Sequence, residues 1–244
     1  MTKILVISDV HANLTALETV LADAGPVDET WCLGDVVGYG PDPNECIDII
    51  RGLPNLTCLM GNHDLAAVGD MGLETFNGDA RRSLLWQKEN LTKESMLFLQ
   101  DRPKVLQVHA QVSLVHGSPR DPVWEYVLNS MVAYSNLAHF QTPWCFVGHS
   151  HFQAIYQYDS EKKDVSFKVP SVSHIYPLND RAILNPGSVG QPRDRDIRAA
   201  YAIYDSEANT WQPKRVNYDF HAVQDRILEA GLPPRHAERL GGGW

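Results

Sequence analysis

Aspartate, asparagine and histidine recur in five short blocks: Asp9-Val10-His11, Gly34-Asp35, Gly61-Asn62-His63-Asp64, His116-Gly117 and Gly148-His149-Ser150-His151. Carboxylate, amide oxygen and imidazole, with no thiolate among them, suit Mn, Fe, Zn, Ni or Mg rather than a soft-metal site. One carboxylate can bridge two cations, which then share a hydroxide poised for in-line attack on phosphorus. A protonated histidine nearby can stabilise the oxyanion or protonate the leaving group. Each block alone has an ordinary explanation. D-x-H arises by chance, Asp35 could be a turn residue, and Asn62 could sit in a loop that tolerates left-handed backbone. His116 alone reads as a satisfied strand-end histidine. Their shared position in the chain is harder to attribute to chance.

That position is the end of a strand. Residues 3–8 form an apolar run leading into Asp9 and His11, and residues 29–33 lead through Gly34 into Asp35. Residues 56–60 lead through Gly61 into Asn62, His63 and Asp64, residues 112–115 into His116, and residues 144–147 through Gly148 into His149 and His151. Open α/β sheets build their sites beyond the carboxyl ends of strands, so segments distant in sequence can converge there. Between the strands, residues 14–24 carry apolar side chains at helical spacing, with Asn13 or Thr15 as cap and Thr15 with Glu18 fitting a capping box. Residues 43–51 and 220–230 read as helices, and 79–101 as a helical hairpin broken near Asn90-Leu91-Thr92. The alternation predicts βαβ units and a largely parallel sheet, followed by a strand-rich second half. We expect one domain over residues 1–244, with 235–244 a flexible tail because of its glycines.

Composition narrows the class of function. A chain of 244 residues can bury the core of one large α/β domain. A net charge of -9 argues against a broad duplex-DNA or membrane surface, whereas bound cations would reverse the field locally for a small anionic substrate. No stretch approaches the roughly 20 apolar residues of a membrane helix, and no secretory leader is evident, so a soluble, cytoplasmic protein is expected. Cys32, Cys46, Cys58 and Cys145 are scattered and read as buried, reduced thiols.

In order and spacing, the five blocks resemble the signature of calcineurin-like metallophosphoesterases. Asn185-Pro186-Gly187-Ser188-Val189-Gly190 is similar to a downstream loop of small prokaryotic members. The resemblance implies a four-layered α/β/β/α sandwich and two divalent metal ions per chain, manganese foremost. Asp9, His11 and His151 would hold one ion, Asp35 would bridge, and Asn62, His116 and His149 would complete the second site. His63 would lie by the scissile phosphate, oriented by Asp64. The implied activity is hydrolysis of a small phosphoester, as phosphodiesterase or phosphatase. Dinucleoside polyphosphate hydrolysis, protein dephosphorylation and a non-catalytic scaffold of the same fold are alternatives, and a nuclease fits the acidic balance less well. Many members carry a basic residue after the Asn-His-Asp/Glu block, but this chain has Leu65, which leaves the phosphate-binding charge unassigned. Gly38-Tyr39-Gly40-Pro41-Asp42-Pro43 reads as a turn into a helix rather than a pocket wall. Arg193-Asp194-Arg195-Asp196 with Arg198 reads as a solvated charge run rather than a source of a phosphate-binding arginine. The Asn185–Gly190 loop could offer backbone N–H groups to an anion or be a structural turn. His109, His139, His174, His221 and His236 fit no block and receive no role.

Overall fold

The structure, a computed structural model, describes residues 2–244. The first half alternates β1 (Lys3–Ile7), α1 (Leu14–Ala24), β2 (Glu29–Cys32), α2 (Pro43–Arg51), β3 (Leu56–Cys58) and α3 (Asn62–Val68). The helices α4 (Gly78–Asn90) and α5 (Lys93–Gln100) follow, then β4 (Val105–Val108), β5 (Val112–Val115), α6 (Ser130–Asn136), β6 (Trp144–Phe146) and β7 (Gln153–Asp159). The chain closes with β8 (Asp164–Lys168), β9 (Tyr176–Pro177), β10 (Ala182–Pro186), β11 (Ala199–Asp205), β12 (Thr210–Val216), α7 (Phe220–Glu229) and α8 (Pro234–Gly242).

Two six-stranded sheets result, ordered β3-β2-β1-β11-β12-β9 and β4-β5-β6-β10-β7-β8. The β1–β2–β3 pairings are parallel, as the βαβ pattern predicts, and so are β5–β6 and β6–β10. β11, β12 and β9 add on antiparallel, and so do β4, β7 and β8, so both sheets are mixed rather than largely parallel. The reason lies in the connections. Hairpin-length links such as β7–β8 and β11–β12 can return a strand only in the opposite direction.

Alternation along β1 shows how the layers are built. Ile4 and Val6 face a cluster between the sheets, with Trp31, Leu114, Phe146, Tyr204 and Trp211. Leu5 and Ile7 face the opposite cluster, beneath α1 and α2, with Leu17, Val20, Ile47 and Ile50. A strand buried on both faces must be apolar throughout, which explains its unbroken run. On the far side of the second sheet, Val115, Cys145, Ile183 and Tyr156 pack with Ala133 of α6. Helix, sheet, sheet and helix thus form four layers, the expected α/β/β/α sandwich. Between the sheets the Phe146 and Trp211 rings lie 4.7 Å apart, one of several aromatic contacts worth about 0.5–1.5 kcal/mol each beyond their buried area. The strands that carry the site are therefore anchored in a buried, aromatic-rich layer.

Asn13, not Thr15, caps α1, accepting from the Ala16 N–H at 3.1 Å. Thr15 instead accepts a hydrogen bond from Arg226 of α7. The expected flexible tail is not what residues 234–242 form. They make α8, whose Ala237 and Leu240 pack with Val223 and Ile227 of α7, and Gly243 accepts a hydrogen bond from the Arg195 N–H. The apolar spacing of Ala237 and Leu240 outweighs the helix-breaking tendency of the glycines beyond them. Among the described residues no helix is long and apolar enough to cross a membrane.

Candidate metal centre

The strand ends bring all seven predicted donors together, and every one is buried. They fall into two groups that share Asp35. In the first, His151 Nε2 lies 3.3 Å from Asp9 Oδ1 and 3.2 Å from His11 Nε2. In the second, His116 Nε2 lies 3.2 Å from both Asn62 Oδ1 and His149 Nδ1. Asp35 Oδ2 stands between them, 3.7 Å from His11 Nε2 and 3.3 Å from His116 Nε2.

The backbone at these positions is strained. Asp9, His11, Asp35, His149 and His151 have φ between 49° and 63°, the left-handed region. Asp and His tolerate it better than most residues, yet each instance costs on the order of 1 kcal/mol. Cross-links between the loops hold them there. The Asp9 and His11 N–H groups donate to the Gly34 and Asp35 carbonyls, and the His149 N–H donates to Asp9 Oδ2. The Asn185–Gly190 loop acts as a brace. Its Val189 and Gly190 N–H groups donate to the Ser8 and Asp9 carbonyls, and Asn185 donates to the Gly148 carbonyl, so it is a structural turn and offers those amides to no anion.

Each donor histidine uses its other nitrogen on a backbone carbonyl. His11 Nδ1 pairs with Val37 O, His116 Nδ1 with Leu33 O, His149 Nε2 with Trp124 O and His151 Nδ1 with Gln191 O. A ring nitrogen facing a carbonyl must carry the proton, so in the neutral rings of His11, His149 and His151 the nitrogens turned inward are lone pairs. Two such lone pairs 3.2 Å apart, beside an Asp9 Oδ1 with no hydrogen-bond partner, repel unless a cation lies between them. The donor set therefore fits divalent metal.

Ionisation points the same way. Burial holds His11 and His149 down at about 3, and His63 and His151 well below the usual imidazole range. Neutral imidazole is the form that ligates. Burial pushes Asp9 up to about 7. Burial also works to lower His116, but Asp35 beside it carries the ring up to about 9. Against the same burial penalty, His116 and His63 hold the Asp35 carboxyl well below its ordinary value. His116 thus carries a second proton toward the ionised Asp35, at a place a cation can take over.

His63 lies beside both groups, its ring 4.9 Å from His11 and its backbone N–H donating to Asp35 Oδ1. Asp64 does not orient it. Asp64 spends both oxygens on the Val37 and Gly61 N–H groups, and His63 Nδ1 has no hydrogen-bond partner. Asp64 instead ties the loop after β2 to the start of α3, because position 64 is the third residue of that helix and reaches back to its cap.

Three features escaped the sequence reading. Leu65 is buried in the helix-side core, so that position cannot present charge to the pocket. Tyr39 and Arg193 line a cavity of about 100 Å³ over the donors, with Phe76, Trp124 and Tyr126 opposite. The Gly38–Pro43 turn therefore does shape the pocket. The charge run resolves into pairs, Asp194 with Arg215 and Asp196 with Arg198, which leaves Arg193 to turn inward. His236, buried in α8, meets the Tyr39 ring edge-to-face at 4.9 Å and bonds the Asp79 carbonyl. No spacing signal marks Arg193 or His236, because their partners lie far away in the chain.

Known proteins with the same organisation carry the comparison further. The profile of the calcineurin-like phosphoesterase superfamily domain matches residues 2–209. A metallophosphoesterase from Sphaerobacter thermophilus superposes with a TM-score of 0.91 at 43% identity, covering 100% of this chain and 99% of that one. An uncharacterized protein of Methanocaldococcus jannaschii is 36% identical over 97% of this chain and 96% of its own length. A hypothetical protein from Pyrococcus horikoshii, at 22% identity, shares the fold with a TM-score of 0.78 over 100% of this chain and 99% of its own. With donors, fold and relatives in agreement across nearly the whole sequence, this chain belongs to the calcineurin-like phosphoesterase superfamily.

Proposed function

We propose that this chain hydrolyses small phosphoesters with two divalent cations, manganese foremost and Fe, Ni, Zn or Mg as alternatives, bridged through Asp35. The observation that carries this reading is the place of Asp35 Oδ2, within 4 Å of a histidine nitrogen from each donor group. Asp9, His11 and His151 would hold one cation, and Asn62, His116 and His149 the other. Bound there, the cations would supply Lewis acidity and an activated water.

The chain's own residues do the rest. The carbonyls of Val37, Leu33, Trp124 and Gln191 fix the donor rings in the ligating tautomer. His63 stands at the pocket wall, neutral because it is buried, and an anionic phosphoryl group would raise its affinity for the proton that the leaving oxygen needs. Asp64 is a positioning residue, linking the loops that carry Asp35 and His63.

The narrow, aromatic-walled cavity supports a small ester over a phosphoprotein surface. A scaffold role has less support, since the donor set and His63 are complete. The acidic chain makes nucleic acid a poor substrate. Four buried, unpaired cysteines agree with a reducing, cytoplasmic setting. Metal analysis and hydrolysis of an aryl phosphoester by Mn-reconstituted protein test the reading together. Two metals per chain with turnover is the expected result, and metal-loaded protein inert toward monoesters, diesters and dinucleoside polyphosphates would end it.

A further inference from the structure

Among the described residues, Arg193 has no carboxylate within ion-pair distance. Its neighbours in sequence are committed elsewhere, Asp194 to Arg215 and Asp196 to Arg198 and Arg215. Its Nη2 instead reaches two neutral oxygens, the Tyr39 hydroxyl at 3.3 Å and Gln191 Oε1 at 3.1 Å. Its Nε is buried and bonded to nothing. Burial penalises the Arg193 charge, while Tyr39, Tyr126 and, beyond ion-pair distance, Asp9 favour it, so the guanidinium stays charged with no carboxylate in contact. It faces the cavity that also exposes His63, Asn62, His149 and His151.

Tyr39 holds it there. The guanidinium lies 5.7 Å from the Tyr39 ring, which itself packs 4.4 Å from His63 and 4.6 Å from His11. Tyr39 has φ of 60°, a left-handed conformation that a bulky side chain rarely adopts. Two glycines make that possible. A Cβ on Gly38 would fall 2.4 Å from His63 Nδ1, and one on Gly40 would fall 2.4 Å from the His11 carbonyl oxygen. Strained backbone and close glycine packing both serve to set one aromatic ring between the histidines and the arginine.

We propose that Arg193 binds the non-bridging oxygens of the substrate phosphoryl group, with Tyr39 as the residue that positions it. This inference rests on the metal-site reading above. It fills the place left by Leu65 with a cation from a different part of the chain, and it defines the ligand as a phosphoryl group with free, charged oxygens.

Inorganic phosphate is the probe. Arg193→Ala, Tyr39→Phe and parent protein would be loaded with Mn, checked for metal content and thermal melting, and titrated calorimetrically with phosphate. Loss of a charge-assisted contact predicts phosphate binding roughly 10- to 100-fold weaker in R193A, with metal content unchanged. Y39F should weaken binding about threefold to tenfold without shifting the melting temperature, because only the hydroxyl is lost. Added guanidinium ion should restore phosphate binding to R193A, a rescue that a merely structural role would not give. R193A binding phosphate as tightly as the parent at equal metal content overturns the proposal while leaving the metal site intact. If R193A fails to fold, unchanged binding in Y39F overturns it instead. A parent chain that takes up no metal defeats the site reading and this inference together.

Discussion

Gly61→Ala tests the proposed bridging role of Asp35 without replacing any candidate donor. Gly61 has φ of -94°, so alanine fits its backbone and no conformational strain follows. The cost is contact alone. The new Cβ would stand 2.0 Å from Asp35 Oδ1, 2.7 Å from its Cγ and 2.6 Å from its backbone N, and real Cβ contacts essentially never fall below 3.0 Å. Either Asp35 or the start of α3 must therefore retreat by about 1 Å, a displacement that can cost about 100-fold in turnover when it reaches a reacting group. The same carboxylate oxygen accepts the His63 N–H at 2.9 Å, so His63 shifts with it. Overpacking of this kind destabilises by about 1–3 kcal/mol, small enough for the variant to fold. Gly78→Ala is the control, since a Cβ there meets nothing within 4 Å. Metal content, melting temperature and turnover of an aryl phosphoester would be compared across the three proteins. The expectation is lost metal and turnover in G61A and parent behaviour in G78A. Two metals per chain in G61A with turnover within a factor of about ten of the parent would refute the argument that Asp35 must sit where it does.

Three further outcomes follow from the same geometry. His63→Ala should retain the metals and lose turnover by about 10²- to 10⁴-fold, read from metal analysis beside steady-state kinetics, since His63, though clustered with His11 and Asp35, is not among the proposed ligands and lines the pocket. Chelation should lower the melting temperature, and adding back Mn at about 1,000 times its Kd should restore about 4 kcal/mol of stability, measured by denaturant titration. The metal-free protein should lose stability as pH falls from about 6.5 toward 3, because His11 and His149 stay neutral when folded and are protonated when unfolded. His63, His151 and His236 are lowered too, by burial, and act in the same direction. Asp9 and Asp64, raised to about 7 by burial, take up protons in the folded state and oppose this trend, but they are outnumbered. Urea midpoints across that window check the sign, and a midpoint that rises on acidification contradicts it.

The candidate donors were legible in the sequence for a physical reason. They are restricted to a few residue types, and they follow apolar runs whose burial on both faces is itself readable. Asp9 after Ile4, Leu5, Val6 and Ile7 carries both signals at once. Arg193 carries neither. Whether an arginine in an alternating charge run is free depends on which carboxylates are already taken, and that was decided by Arg215 on β12, which the register of β11 with β12 brings to Asp194. Asp64 differs in a related way. The family resemblance implied that it orients His63, but a residue three positions past a helix cap reaches back to the backbone, and the Val37 N–H supplied the second partner.

Least legible of all was what sets the tautomers. The four carbonyls that accept from the donor histidines belong to Leu33, Val37, Trp124 and Gln191, residues with nothing in common as side chains. A carbonyl is present at every position, so no residue type is required and no motif can form. What those positions need is a fixed backbone, and the fold supplies it. Leu33 and Val37 flank Asp35 in the loop after β2, and Gln191 follows the brace that ties Val189 and Gly190 to the end of β1. Side-chain changes at Val37 or Gln191 that leave these loops in place should therefore spare the metal donors. A single Cβ where two backbones touch, as at Gly190, only 1.8 Å from the Val10 carbonyl oxygen, should not. Chemistry at this site is written in side chains, and its orientation in the backbone.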